Sequence, residues 1–260
     1  LKDALDPHEV PRVETENEIT YVFARVPRDG GETQMATTPV LIALGETFIL
    51  TVSAEEVSFL DRFSSGALDF YTTQKVKLFI QFFSAITSVY NRRLTTMAKR
   101  VRAMNAACLT ATNRDIANFA EMEKILNDYL AALLPMGRLL AKLLGGGVRR
   151  LYFHPTDEEL VEDLLIDIRQ LEEVCHGTLK YLIGIRTAHA TIVANNLNNT
   201  MKMLAALTVV LTVPTIIASF FGMNVPVPFS DSPSSFAGVV VATMLFMLLI
   251  VLLFRRKRWL

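Results

Sequence analysis

A single asparagine, Asn224, lies in a short loop between two charge-free apolar runs, residues 203–221 and 236–254. Its amide carbonyl is a neutral acceptor, so a ring of such groups would suit the water shell of a small, hard cation. A carboxylate ring would hold a divalent ion that an amide ring lets go. One carbonyl is too little, so this chemistry needs several copies of the chain around an axis. By local chemistry alone a plainer role is the stronger one, because asparagine after a helix caps its C-terminus well. Upstream, Met201, Leu204, Thr208, Thr212, Thr215, Ser219 and Gly222 recur at spacings of three or four and share one helical face. Hydroxyls in an apolar helix either glue helices together or line water.

No catalytic set emerges elsewhere, which points away from an enzyme. His8, His154, His176 and His189 are scattered without the spacing of zinc ligands. Cys108 and Cys175 are isolated and expected as free thiols. Gly145-Gly146-Gly147 follows a helical pattern and precedes a strand-like one, the reverse of a phosphate-cradling loop, so no nucleotide partner is expected. With 26 basic and 26 acidic residues the net charge is zero, which excludes a nucleic-acid footprint.

The elements that must position Asn224 are the two apolar runs. Each is long enough to cross a bilayer core, which takes roughly 20 residues at ~1.5 Å rise. Lys202 precedes the first run and Arg255-Arg256-Lys257-Arg258 follows the second, while the loop carries no Lys or Arg. The positive-inside bias places both termini in the cytoplasm and the loop outside, as a multi-pass protein of the plasma membrane in contact with lipid. The expected division is a cytoplasmic α/β domain over residues 1–155, a stalk helix over 156–202 and a first membrane helix over 203–221. An extracellular loop over 222–235, a second membrane helix over 236–254 and a basic cytoplasmic tail over 255–260 complete it. Residues 1–10 are polar and acidic, without a signal-peptide pattern.

In the cytoplasmic part, residues 12–26 form a strand region, and residues 39–44 and 47–52 flank Gly45-Glu46 as a hairpin. A small mixed sheet is expected. Ser53 and Glu56 suggest a capping box opening a short helix through Arg62. Helical spacing then runs over residues 73–109, with Val76, Phe79, Ile80, Phe83, Ile86, Val89, Tyr90 and Leu94 as the apolar set. A second helix spans 113–144, boxed by Thr112 and Asp115, with Pro135 kinking it or marking its last third and the glycine triplet at its end. Thr156 and Glu159 open a third helix that meets no proline until Pro214 and so extends over 157–220, roughly 95 Å at ~1.5 Å per residue. Such a helix leaves the soluble domain and becomes the first membrane span. Its acidic run (Asp157, Glu158, Glu159, Glu162, Asp163, Asp167, Glu172, Glu173) is ordinarily a solvated face. The fold class is therefore a mainly α membrane protein with an α/β cytoplasmic domain, a stalk helix continuous with the first span, and a two-helix membrane hairpin.

Phe221-Gly222-Met223-Asn224 resembles the Gly-Met-Asn signature of the CorA family of magnesium transport channels. Asn195-Asn196-Leu197-Asn198, Met201-Lys202, Pro214-Thr215 and the terminal Arg255-Arg256-Lys257-Arg258-Trp259-Leu260 fit the same family. So do Leu5-Asp6-Pro7 and Pro11-Arg12-Val13-Glu14 upstream, and the resemblance covers essentially the whole chain. It implies a homopentamer conducting magnesium and cobalt-like divalent cations, with Gly222, Met223 and Asn224 as selectivity filter. It also implies a pore lined or gated by Asn198, Met201, Leu204, Thr208, Thr212 and Thr215. Where relatives often place a third large apolar residue this chain has Thr212. Near the stalk's start the family pairs an acid with one from the neighbouring subunit around regulatory magnesium, and the matching positions are Asp163 and Asp3. The resemblance further implies residues upstream of Leu1. A zinc transporter of the same superfamily is the first rival, against which Met223 argues. A non-transporting helical scaffold is the second, and it needs neither a polar stripe nor an asparagine in the loop.

Overall fold

In the computed structural model, residues 3–28, 36–66, 68–106, 113–146, 153–223, 234–257 and 259 are described. Two compact units divide the chain, residues 1–187 and 188–260. The first unit opens with a 3-10 turn, Asp3–Leu5, and a four-stranded sheet of β1 (Arg12–Glu16), β2 (Ile19–Pro27), β3 (Thr37–Leu44) and β4 (Ile49–Ser53). A single turn of helix, α1 (Asp61–Ser64), leads to the long α2 (Lys75–Ala106) and α3 (Asn113–Leu144). Helix α4 (Pro155–Phe221) begins in the first unit and ends in the second, followed by α5 (Ser235–Arg256).

The sheet was expected to be mixed, and it is antiparallel throughout in the order β1-β2-β3-β4. Connection length explains this: parallel neighbours need a crossover of roughly a dozen residues or more, and none of these links is long enough. The single strand region expected over residues 12–26 is instead a hairpin. Asn17 and Glu18 both take positive φ, 47° and 67°, the conformation of a two-residue turn that matches strand twist. Only the asparagine signals it in the sequence. The second hairpin, around Gly45-Glu46, pairs Leu44 with Ile49.

Alternation along the central strands serves two cores. Val22, Ala24, Val26, Val40, Ile42 and Leu44 join a large cluster with the helices, while Phe23 and Leu41 turn to a small one capped by Ala4. The apolar set expected in α2 is buried from Phe79 to Leu94. Each such side chain contributes about 1.5–3 kcal/mol by leaving water. In α4 the buried positions Val161, Leu164, Ile168, Leu171, Cys175, Leu182 and Ile185 keep helical spacing against the same cluster. Helix α3 approaches α4 at Gly137, where an added Cβ would sit 3.0 Å from Glu172 Oε1 and 3.5 Å from Ile168 Cγ2.

Neither testable capping box forms. Ser53 ends β4, and its hydroxyl bonds Pro39 O and the Glu55 N–H rather than opening a helix. Helix α4 starts at Pro155, which needs no N–H partner at the first helical position, and His154 O accepts from Asp157 and Glu158. Thr156 is thus already inside the helix. Thr112 lies outside the described residues. Pro135 and Pro214 are both carried within unbroken helices. After Leu144, Gly146 takes φ +69° and closes α3 with a backbone bond to Leu143 O, a left-handed residue that glycine adopts without steric cost.

Candidate pore stripe and regulatory carboxylates

In the second unit, Asn198, Met201, Leu204, Thr208, Thr212 and Thr215 all lie exposed on α4, at the three-and-four spacing expected of one face. Met201 and Leu204 are 57% and 56% exposed, large apolar side chains left more than half open. The threonines share one geometry. Thr208 Oγ1 donates to Leu204 O at 2.9 Å, Thr212 Oγ1 to Thr208 O at 2.7 Å, and Thr215 Oγ1 to Leu211 O at 3.0 Å. Each hydroxyl proton is spent on the carbonyl four residues back, so the outward oxygen keeps acceptor lone pairs only. A ladder of such oxygens accepts from water or from the hydration shell of a cation and offers nothing to an anion.

At the end of the stripe the helix closes with the Gly222 N–H bonded to Ala218 O and Ser219 O. Gly222 and Met223 are exposed, and the Met223 N–H reaches Phe220 O. Asn224 lies outside the described residues. Beyond the loop, α5 carries the second apolar run, with mean hydropathy 2.9 over its best window and none of that window buried. The corresponding window of α4 has mean hydropathy 2.2 and is 6% buried. Arg255 and Arg256 end α5 exposed, and Phe254 stacks on Trp259 with ring centroids 5.6 Å apart.

The two carboxylates expected to regulate are both in the first unit, and no ion pair or hydrogen bond joins them. Asp163 is exposed on α4 among Glu158, Glu159, Glu162 and Asp167, a wet face as the acidic run suggested. Asp3 is held by Arg12 at 2.9 Å. The same guanidinium binds Glu14 at 2.7 Å and Glu9, and rests 4.3 Å over the Phe23 ring. Arg12 had no assigned role in the sequence, although an arginine close to Asp3, Glu9 and Glu14 was the available signal. Among the described residues, no group of three or more His, Cys, Asp or Glu side chains could hold a metal ion.

Also unforeseen was the polar core that ties the sheet to the helices. Arg25, 4% exposed, donates to Thr37 Oγ1, Thr37 O and Glu9 O at 2.7–2.8 Å. Tyr90 OH donates to Arg25 O at 3.0 Å and meets Tyr129 edge-on. Burial lowers the Arg25 pKa and raises those of Tyr90 and Tyr129. Cys175 donates its thiol proton to Leu126 O at 3.2 Å, and burial pushes its pKa up to about 12. These groups belong to the core of the first unit.

A family model described as "CorA-like Mg2+ transporter protein" matches residues 1–256. The chain belongs to the CorA family. It is accordingly a membrane protein of a divalent-cation transporter family and not an enzyme. The cobalt/magnesium transport protein CorA of Methanocaldococcus jannaschii is 24% identical over the whole chain and 83% of its own length. The complete structure of that magnesium transporter superposes with TM-score 0.85 at 22% identity, covering 100% of this chain and 83% of that one. The cytoplasmic domain of ZntB from Vibrio parahaemolyticus is similar to 73% of the chain, with TM-score 0.61 at 8% identity and 76% of its own length covered. These likenesses place the sheet, long helices and C-terminal apolar pair in the CorA fold.

Proposed function

We propose that this CorA chain is a passive channel for hydrated divalent cations, magnesium and cobalt-like ions, assembled as a homopentamer. Residues 203–221 of α4 surround the axis and residues 236–254 of α5 lie outside them, with both termini in the cytoplasm. The threonine ladder carries this reading. Metal-bound water presents only donors, and Thr208, Thr212 and Thr215 present only acceptors outward. Gly222, Met223 and Asn224 form the outer selectivity ring, where amide carbonyls bind the hydration shell without stripping it. Met201 and Leu204 are the gate, since apolar rings close a passage by dewetting without a steric plug.

An inside-negative potential drives entry, contributing about 2.3 kcal/mol per charge per 100 mV and roughly twice that for a divalent ion. Internal magnesium between Asp163 and a neighbour's Asp3 screens their repulsion and favours the closed state, and α4 is the covalent route from that site to the stripe. The deciding experiment is magnesium and cobalt flux into liposomes holding the purified chain, with and without an imposed inside-negative potential. Potential-dependent uptake is expected, and none of either ion would leave a membrane-anchored scaffold. Zinc taken up in preference to magnesium would move the chain to the zinc-transporting branch.

A further inference from the structure

Helix α3 presents Pro135, Arg138, Leu139 and Lys142 at spacings of three and four, hence on one face. That face meets the segment Val10-Pro11-Arg12-Val13 at the start of β1, and between them lies an open cleft of about 360 Å³. Its floor is apolar: Pro11, Val13 and Leu139 are buried, and Val10 stands 55% exposed at its edge. Its charges are unequal in availability. Arg12 is already taken up by Asp3, Glu9 and Glu14. Arg138 and Lys142 are exposed and form no ion pair or hydrogen bond with a described residue, although Arg138 acts at longer range on Glu172. Lysine near a helix C-terminus is favoured by the dipole alone. A second cation one turn earlier, with an apolar hollow beside both, is more than that preference requires.

We propose that this cleft binds a small amphiphilic phosphate monoester, its phosphate held by Arg138 and Lys142 and its apolar body against Pro11, Val13 and Leu139. A guanidinium fork and a neighbouring ammonium suit a dianionic phosphate better than a single carboxylate. The volume admits a short chain or a small ring.

The test is isothermal titration of the full chain in nanodiscs of neutral lipid with hexyl phosphate, inorganic phosphate and hexanol. Hexyl phosphate should bind saturably, one per chain, and at least tenfold tighter than inorganic phosphate or hexanol. R138Q/K142Q should weaken it at least tenfold. Val10→Asp, at an exposed edge position where the fold is not at stake, should erase the advantage over inorganic phosphate. Absence of saturable binding, or equal affinity in wild type and R138Q/K142Q, overturns the proposal. So does loss of the assembled state in R138Q/K142Q without hexyl phosphate binding to wild type, which makes the face a contact between subunits.

Discussion

Asp3 and Arg12 are ion-paired at 2.9 Å within one chain, so the carboxylate expected to help hold regulatory magnesium already has a cation as partner, shared with Glu9 and Glu14. The pair is half-exposed, and removing it costs the fold less than about 1 kcal/mol. Its larger effect is on divalent binding, because magnesium must displace Arg12 to use Asp3. Arg12→Gln should therefore lower the magnesium concentration at which the chain gains protection from protease, and Asp163→Lys should raise it. Identical titrations in wild type and both variants would remove Asp3 and Asp163 from regulation.

Asn224→Ala should abolish magnesium uptake while the oligomer, measured by light scattering in detergent, stays intact. Assembly and flux are separable readouts. Wild-type flux in this variant would sink the selectivity ring.

Leu204→Asn should raise basal leak several-fold in the presence of high internal magnesium. Leu204 is 56% exposed within its own chain, so the substitution leaves no cavity there and acts on wetting of the passage. Unchanged leak would place the gate elsewhere on the stripe.

Cys175 should resist alkylation in the native protein. Only the thiolate reacts, and a buried thiol with its pKa at about 12 supplies almost none at pH 8. In a C108S background, iodoacetamide labelling followed by mass spectrometry should be absent until denaturant is added. Rapid labelling of folded protein would mean that α3 and α4 separate at this point.

Glu172 packs over Gly137, and its pKa is raised, chiefly by burial and against the pull of Arg169, His176 and Arg138. The sign follows from linkage: a carboxyl that binds its proton more tightly when folded favours the folded state as pH falls through its folded pKa. Its ionised form opposes folding above that point. Glu172→Gln should thus be at least as stable as wild type at pH 7 and should lose that acid-side gain. A lower melting temperature for the variant at pH 7 would show that the carboxylate makes a favourable pairing.

The helical stripe, the two long apolar helices and the bounds of α3 were legible because they rest on local rules. Helical spacing put Thr208, Thr212 and Thr215 on one face before any coordinate was known, and the unbroken pattern to Pro214 anticipated α4 to within a residue or two. Transfer of apolar side chains out of water is additive along the chain, so residues 203–221 and 236–254 announce themselves by composition. The hairpin at Asn17 was missed because a two-residue turn leaves one weak mark in an otherwise continuous strand pattern. Ser53 and Thr156 carried the letters of a capping box, yet tertiary pairing of β4 and the proline at α4's start decided otherwise.

What only the tertiary structure decided are the pairings between residues distant in the chain. Arg25 with Thr37, Tyr90 with Arg25, Cys175 with Leu126 and Glu172 with Gly137 depend on which faces of sheet and helices meet. The pKa of a group follows from that meeting, because desolvation acts through whatever surrounds it rather than through its neighbours in sequence. Arg12 makes the point for function: its letter says cation, and only the fold says which three carboxylates it holds and that Arg138 and Lys142 line the same hollow.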